Sequence, residues 1–219
     1  PSICFSGHRR YPLGSNDPVI EEKSLELMKK CIELAQDLGV RTIQLAGYDV
    51  YYEEKSPQTR QRFIKNLRKA CDWAEEAQVV LAIEIMDDPF VNSIEKYLAV
   101  EKEIDSPYLF VYPDIGNVSA WHNDVYSEFY LGHHAIAALH LKDTYAVTES
   151  SKGQFRDVTF GQGCVKWEEA FDILKQTNYN GPFLIEMWSE NCETVEETRA
   201  AIQEAQAFLY PLIKKAGLM

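Results

Sequence analysis

The chain has 219 residues, 46% of them hydrophobic, which is enough for a sizeable buried core in one α/β domain. Its 22 Lys and Arg stand against 34 Asp and Glu, and the net charge of −12 disfavours a nucleic-acid partner because phosphate binding needs clustered cations. No stretch approaches the roughly 20 apolar residues of a membrane span, no signal-peptide pattern opens the chain, and five cysteines without a CxxC pair predict a reducing, cytoplasmic compartment.

Strand-like and helical segments alternate along the whole chain. The first helix has clear boundaries, because Ser15, Asn16 or Asp17 can cap it, Pro18 suits its first turn and Gly39 ends it. In chain order we predict a strand at 3–6, that helix, a strand at 42–46, a helix at 57–77, a strand at 79–84, a helix at 92–104, a strand at 109–114, a helix at 123–130, a strand at 135–140, a helix at 167–177, a strand at 182–186 and a helix at 194–215. No linker divides them, so 1–219 is predicted to be a single domain.

This alternation predicts a parallel sheet, either doubly wound or closed into a (β/α)8 barrel. No GxGxxG or P-loop follows any strand, and polar ligand-type residues end several strands, which favours the barrel. About six strand–helix units are present, whereas a closed barrel has eight in roughly 250 residues. We therefore expect that two N-terminal βα units are missing from this chain and that the barrel is partial.

Four near-continuous apolar runs each end on a residue that can bind a metal, namely Glu84, Asp114, His140 and Glu186. A buried carboxylate or imidazole needs a partner, because an unpaired buried charge is very unfavourable. Three carboxylates and one imidazole suit one divalent metal ion, with Mn²⁺, Co²⁺, Zn²⁺ or Mg²⁺ all compatible. An ordinary strand-end salt bridge is the alternative for each residue taken singly.

Two residues near these ends are candidates for substrate binding. Lys142 lies two positions after His140 and hence on the same face of the strand, where it can bind a phosphate or an oxyanion; a salt bridge with Asp143 or Asp87 is equally compatible. Asn117 is predicted to leave its strand on a flexible glycine turn and to bind a substrate hydroxyl, with turn capping as the alternative.

Further candidates follow the first strand and lie in a glycine-rich loop. His8 and Arg9 are predicted to bind an anionic substrate group, although pairing with acidic loops would explain them too. Gly161, in the segment 160–163, is predicted to offer backbone N–H groups to a phosphate. Trp121 and Trp188 either line the pocket or pack in the core.

The carboxylates also indicate a type of reaction. Glu84 and Glu186 belong to strands that are far apart in sequence, and therefore to different sides of a barrel mouth. Two such carboxylates can remove a proton from one face of a hydroxy-ketone and return one to the other face, while a cation stabilises the enediolate. This chemistry is epimerisation next to a ketone.

Six segments of the sequence carry a family resemblance: SGHRRYPLGS at 6–15, IQLAGYDVYY at 43–52, EIMD at 84–87, YPDIGN at 112–117, HLKD at 140–143 and LIEMWSE at 184–190. In them the chain resembles the L-ribulose-5-phosphate 3-epimerase family of L-ascorbate utilisation, also labelled hexulose-6-phosphate isomerases, within the xylose-isomerase-like TIM barrels.

The resemblance implies interconversion of L-xylulose 5-phosphate and L-ribulose 5-phosphate, so the expected partner is a phosphorylated ketopentose. It implies metal ligation by Glu84, Asp114, His140 and Glu186, with the two glutamates also acting as acid and base. Related ketose 3-epimerases carry a histidine where this sequence has Asn117.

Two other functions stay open at this point, and so does the oligomeric state. An aldose–ketose isomerase of a sugar phosphate would use the same ligands, and an incomplete barrel could bind metal or sugar without turnover. Cleavage of DNA at abasic sites is disfavoured, because it would need a basic face and a histidine-rich multi-metal site. Open barrel edges or exposed apolar helix faces make a homodimer compatible with the sequence.

Overall fold

The computed structural model describes residues 2–190 and 192–219 of the chain. Two compact units divide it, Pro1–Tyr112 and Pro113–Met219. Each unit is built from parallel strands and helices, so the predicted α/β class holds within both. The prediction that 1–219 is a single domain stays a prediction.

The first unit contains a four-stranded parallel sheet in the order β1-β2-β3-β4. Its strands are β1 (Ser2–Phe5), β2 (Thr42–Ala46), β3 (Val80–Glu84) and β4 (Leu109–Tyr112), and its helices are α1 (Pro18–Leu38), α2 (Pro57–Ala77) and α3 (Ile94–Ile104). Glu84 is paired in register with Ala46 on one side and Tyr112 on the other. The carboxyl ends of three adjacent strands are therefore level, and Glu84 lies at this edge.

Local sequence explains where these helices begin and end. The Asp17 side chain accepts the Val19 N–H and Gly39 ends α1 in the left-handed region at φ +67°, as predicted. Ser56 and Thr59 form a reciprocal capping box at the start of α2. Close packing beside β3 also requires a glycine after β2, because a Cβ on Gly47 would lie 2.5 Å from the Glu84 carbonyl oxygen.

The second unit contains a two-stranded parallel sheet and four α-helices among its described residues. Its strands are β5 (Leu139–Leu141) and β6 (Phe183–Ile185), and its helices are α4 (Ile115–Ala120), α5 (Val125–Gly132), α6 (Trp167–Gln176) and α7 (Val195–Ala216). Asp114 forms a further parallel bridge with His140, and the His140 N–H donates to the Pro113 carbonyl oxygen at 2.9 Å. The segment 113–114 thus lies beside β5, which in turn pairs with β6.

Several predicted boundaries are corrected by the structure. The run 135–140 is not a strand throughout, because a 3-10 helix occupies His133–Ala135 and β5 begins only at Leu139. His140 therefore lies in the middle of a short strand rather than at its end. The strand predicted at 3–6 is Ser2–Phe5, followed by a 3-10 helix from Ser6 to Arg9.

Helix α4 was not expected from the sequence. β4 ends at Tyr112 rather than at Asp114, and Asp114 caps α4 by accepting the Asn117 N–H. The prediction that Asn117 leaves on a flexible glycine turn is therefore wrong. A Cβ on Gly116 would lie 2.6 Å from the Lys142 carbonyl oxygen, so glycine lets this helix lie close to the end of β5 rather than supplying flexibility.

The six described strands agree with the six predicted strand–helix units. The expectation that two N-terminal units are missing stays a prediction. Among the described helices, none combines the length and the apolar character that crossing a membrane requires.

Candidate metal centre and active site

Three of the four predicted ligands converge in the second unit. Asp114, His140 and Glu186 each offer a ligand atom, and these atoms lie within 4.8 Å of one another. Asp114 is fully buried, His140 is 8% exposed and Glu186 is half-buried. Buried donors so close together can reach one ion.

Backbone pairing places each of these side chains. The bridge between Asp114 and His140 brings two ligands side by side. The Glu186 N–H donates to the Leu141 carbonyl oxygen at 3.0 Å, which continues the pairing of β5 with β6 and places Glu186 level with Lys142, two positions beyond His140. Convergence of the three donors thus follows from strand register.

Asp114 uses its two oxygens differently. Its Oδ1 accepts the Asn117 N–H at 2.8 Å and caps α4, whereas its Oδ2 lies 2.8 Å from the Lys142 ammonium. The cap fixes the carboxylate, so Oδ2 is the oxygen available for ligation.

The two carboxyl groups titrate together. Burial raises the pKa of Asp114 well above its ordinary value; the Lys142 charge opposes this shift and the nearby Glu186 carboxylate adds to it. Burial also raises the pKa of Glu186, but hydrogen bonds with His140 and Asp114, together with the Lys142 charge, outweigh it and lower that pKa overall. Burial and the neighbouring carboxylate thus favour the protonated form of Asp114, whereas the partners of Glu186 favour its ionised form.

This donor set fits a divalent ion. Two carboxylates and an imidazole, without a thiolate, suit Mn²⁺, Co²⁺, Zn²⁺ or Mg²⁺. The two carboxylates of this cluster can supply the negative charge that balances a divalent cation.

Lys142 has different partners from those predicted. Its ammonium lies 2.8 Å from Asp114 Oδ2 and 3.1 Å from Glu186 Oε2, rather than beside Asp143 or Asp87. It also lies 5.3 Å from the ring centroid of Trp188, within the distance of a cation–π interaction.

Asp143 is the residue whose role the sequence did not reveal. Its carboxylate is buried and accepts the backbone N–H groups of Gly161 at 2.8 Å and Gly163 at 3.2 Å, among other donors. The Gly161 N–H is therefore committed to a carboxylate, and the structure does not support the predicted donation of this N–H to a phosphate. The signal was present, since the N–H groups of a glycine-rich loop need an acceptor and Asp143 is an acidic residue next to the predicted site.

A cavity of about 530 Å³ opens beside these residues within the second unit. Lys142, Glu186 and Trp188 contribute to its wall, and α7 supplies apolar side chains that include Ala205 and Phe208. Its volume falls in the range of small-molecule sites. Trp188 lines this cavity, in agreement with one of its two predicted roles, whereas Trp121 packs against Phe155 with ring centroids 5.9 Å apart.

The remaining predicted residues belong to the first unit. Glu84 is 6% exposed and accepts a hydrogen bond from the Gln44 side chain at 2.6 Å. Its ligation of a metal stays a prediction. His8 is 1% exposed, and burial lowers its pKa to about 4, so it is neutral at pH 7 and supplies no positive charge to an anion.

Arg9 lies among aromatic and acidic groups of the same unit. Its guanidinium is 5.2 Å from the ring centroid of Tyr51, and interactions with Tyr48, Tyr51 and Asp87 raise its pKa although burial opposes them. Arg9 is charged, and its predicted contact with an anionic substrate group stays a prediction.

Comparison with known proteins identifies relatives along the full chain. Residues 1–212 match the family model described as "Xylose isomerase-like TIM barrel". The chain is 52% identical over 219 residues to SgbU of Haemophilus influenzae, by its name a provisional L-ribulose-5-phosphate 3-epimerase, and covers 76% of that protein. It is 48% identical over 219 residues to L-ribulose-5-phosphate 3-epimerase UlaE of Escherichia coli O157:H7, of which it covers 74%; both alignments include all of this chain.

Solved structures show the same fold at low sequence identity. A xylose isomerase domain protein from Planctomyces limnophilus superposes with a TM-score of 0.76 at 19% identity, over 100% of this chain and 78% of the other. A structure of L-ribulose 3-epimerase gives a TM-score of 0.74 at 19% identity, over 93% of this chain and 71% of the other.

Proposed function

Because the chain belongs to the xylose isomerase-like TIM barrel family and, within it, to the L-ribulose-5-phosphate 3-epimerases, we propose that it is a metal-dependent enzyme that interconverts L-ribulose 5-phosphate and L-xylulose 5-phosphate. Family membership confirms the fold class predicted from the sequence. The observation that supports metal dependence is that ligand atoms of Asp114, His140 and Glu186 lie within 4.8 Å of one another.

In this proposal Asp114, His140 and Glu186 hold one divalent cation, with Glu84 as the fourth ligand. The chemistry that such a cation supplies is stabilisation of the negative charge that develops on the ketone oxygen during proton removal. Metal identity is open among Mn²⁺, Co²⁺, Zn²⁺ and Mg²⁺.

The glutamates perform the proton transfers. One carboxylate, from Glu84 or Glu186, accepts the proton as the bond between carbon 3 and hydrogen breaks, and the electron pair forms the double bond of an enediolate between carbons 2 and 3. The other glutamate donates a proton to the opposite face of carbon 3, and the ketone is restored with inverted configuration. The lowered pKa of Glu186 keeps its carboxylate ionised, which is the form that can accept a proton.

The surrounding side chains are assigned to substrate binding. Lys142 and Trp188 line the cavity of the second unit. We propose that Lys142 contacts an anionic oxygen of the substrate, that Arg9 contributes to phosphate binding and that Asn117 lies close to a hydroxyl group. The cytoplasmic location and the homodimer also stay predictions.

Proton exchange at carbon 3 tests this function. With Mn²⁺ in deuterated water, the protein should incorporate deuterium at carbon 3 of L-ribulose 5-phosphate and produce L-xylulose 5-phosphate, as followed by NMR. Glu84→Gln and Glu186→Gln should each reduce exchange at least a hundredfold, whereas Glu169→Gln, at an exposed position on α6, should leave it unchanged. Absence of exchange by the unmodified protein would refute the proposal, and formation of an aldose would indicate isomerisation instead.

A further inference from the structure

The Lys142 ammonium contacts two of the carboxylates that are candidate metal ligands. It lies 2.8 Å from Asp114 Oδ2 and 3.1 Å from Glu186 Oε2, and the residue is 6% exposed. Asp114 Oδ1 accepts the Asn117 N–H, so the oxygen that Lys142 contacts is the one that the helix cap leaves open.

The Lys142 ammonium also contacts the second carboxylate, Glu186. Its Oε2 lies 3.3 Å from His140 Nδ1 as well as 3.1 Å from the Lys142 ammonium. One positive charge therefore contacts two of the three convergent ligands of this unit. A cation bound to these oxygens would lie within a few Å of the ammonium, and repulsion between like charges at such a distance is strong in a partly buried site.

Lys142 also has a second surface within reach. The Trp188 ring centroid is 5.3 Å from its ammonium, and the guanidinium of Arg156 lies over the same ring at 4.8 Å. The indole can accept the ammonium if it leaves the carboxylates, since aromatic faces attract cations, and the cavity that Lys142 and Trp188 both line provides the space.

We propose that Lys142 is a resident counter-cation, which neutralises Asp114 and Glu186 while no metal is bound and competes with the metal for the same oxygens. This inference rests on the proposed metal centre and extends it. Lys142 would make the protein bind divalent cations more weakly than the ligands alone allow, and would keep the carboxylates in place between binding events. Lys142 is therefore a positioning residue, which holds the carboxylate ligands in place, as well as a candidate substrate contact.

Metal affinity tests this proposal without any measurement of turnover. Lys142→Met keeps the length of the side chain and removes the charge, so the association constant for Mn²⁺, measured by titration calorimetry at fixed pH and salt, should rise at least tenfold. Lys142→Arg retains the charge and should stay within about threefold of the unmodified protein. Lys166→Met, which removes an exposed lysine paired with Glu169, should not change the affinity.

The outcomes together separate the role of Lys142 from the proposed metal centre. If the unmodified protein binds Mn²⁺ and Lys142→Met binds it equally or more weakly, the counter-cation role of Lys142 is refuted. The proposed metal centre is still supported in that case. No binding by any variant would overturn both. If Lys142→Met does not fold, Lys142→Gln removes the charge but keeps a hydrogen-bond donor, and the same rise in affinity is expected from it.

Discussion

Removal of the negative charge at Asp143 should destabilise the second unit far more than an ordinary surface substitution. The Asp143 carboxylate is 1% exposed. Its Oδ2 accepts the N–H groups of Gly161, Gly163 and the Trp167 indole, and its Oδ1 accepts those of Thr144 and Val165. In Asp143→Asn one of these oxygens becomes an NH₂ group, which cannot accept and instead faces at least two N–H donors.

The magnitude follows from that count. Hydrogen bonds to a charged group contribute about 1.5–3 kcal/mol each, so the loss of two predicts a fall of about 3–6 kcal/mol in the free energy of unfolding. This is a large share of the ~5–15 kcal/mol that stabilises a typical domain. The loop 160–165 should also lose protection of its amide hydrogens against exchange, because its N–H groups would no longer have an acceptor.

Urea unfolding followed by circular dichroism measures the effect. Asp172→Asn is the matched control, since Asp172 is an exposed aspartate on α6 and its substitution should change the free energy of unfolding by less than about 0.5 kcal/mol. A fall of less than about 1 kcal/mol in Asp143→Asn would refute the reasoning, because the buried N–H donors would then have found other acceptors.

Two more predictions concern one buried residue in each unit. His8 has a pKa of about 4 in the folded chain against 6.5 for the ordinary group, so its contribution to stability is present above pH 6.5 and is lost as the pH falls toward 4. The unmodified protein should therefore lose about 3 kcal/mol more than His8→Phe between pH 7 and pH 4 in chemical unfolding experiments, and equal losses would contradict the assignment. Gly116→Ala would place a Cβ 2.6 Å from the Lys142 carbonyl oxygen and 2.8 Å from Thr144 Cγ2, so it should lower stability by about 1–3 kcal/mol; a gain in stability, as expected for alanine in an open helix, would show that α4 can move away from β5.

Much of this fold follows from local signals in the sequence. Pro18, Gly39 and a cap among residues 15–17 predict the limits of α1, because each supplies a specific capping interaction or backbone conformation, and the structure identifies Asp17 as the cap. The strands are predicted by apolar runs, and Glu84 and Glu186 lie at or directly after the ends of theirs. These features depend on neighbours in sequence, so one sequence is sufficient to predict them.

The errors occur where tertiary pairing determines the outcome. The run 135–140 is apolar enough for a strand, but only Leu139–Leu141 finds strand partners, and a 3-10 helix forms before it. Gly116 suggested a turn, whereas its lack of a side chain permits close contact with the end of β5. The N–H groups at Gly161 and Gly163 suggested a phosphate site, but the buried Asp143 carboxylate already accepts them, and the prediction did not consider this neighbouring acidic residue as their acceptor.

Asp114 shows why the structure of the site and its chemistry cannot be separated. One of its oxygens caps α4 and the other contacts Lys142, so the helix that packs closely against β5 also fixes the direction of the ligand atom. A ligand held in this way loses little conformational freedom when a cation binds, which favours affinity, whereas the nearby ammonium and the raised pKa of Asp114 both oppose it. The net affinity for a divalent ion is therefore set by a balance between a preorganised carboxylate and two competitors, a proton and Lys142. Since both competitors contact the same carboxyl group, a rise in pH and the loss of the Lys142 charge should each strengthen metal binding, and their effects should not be additive.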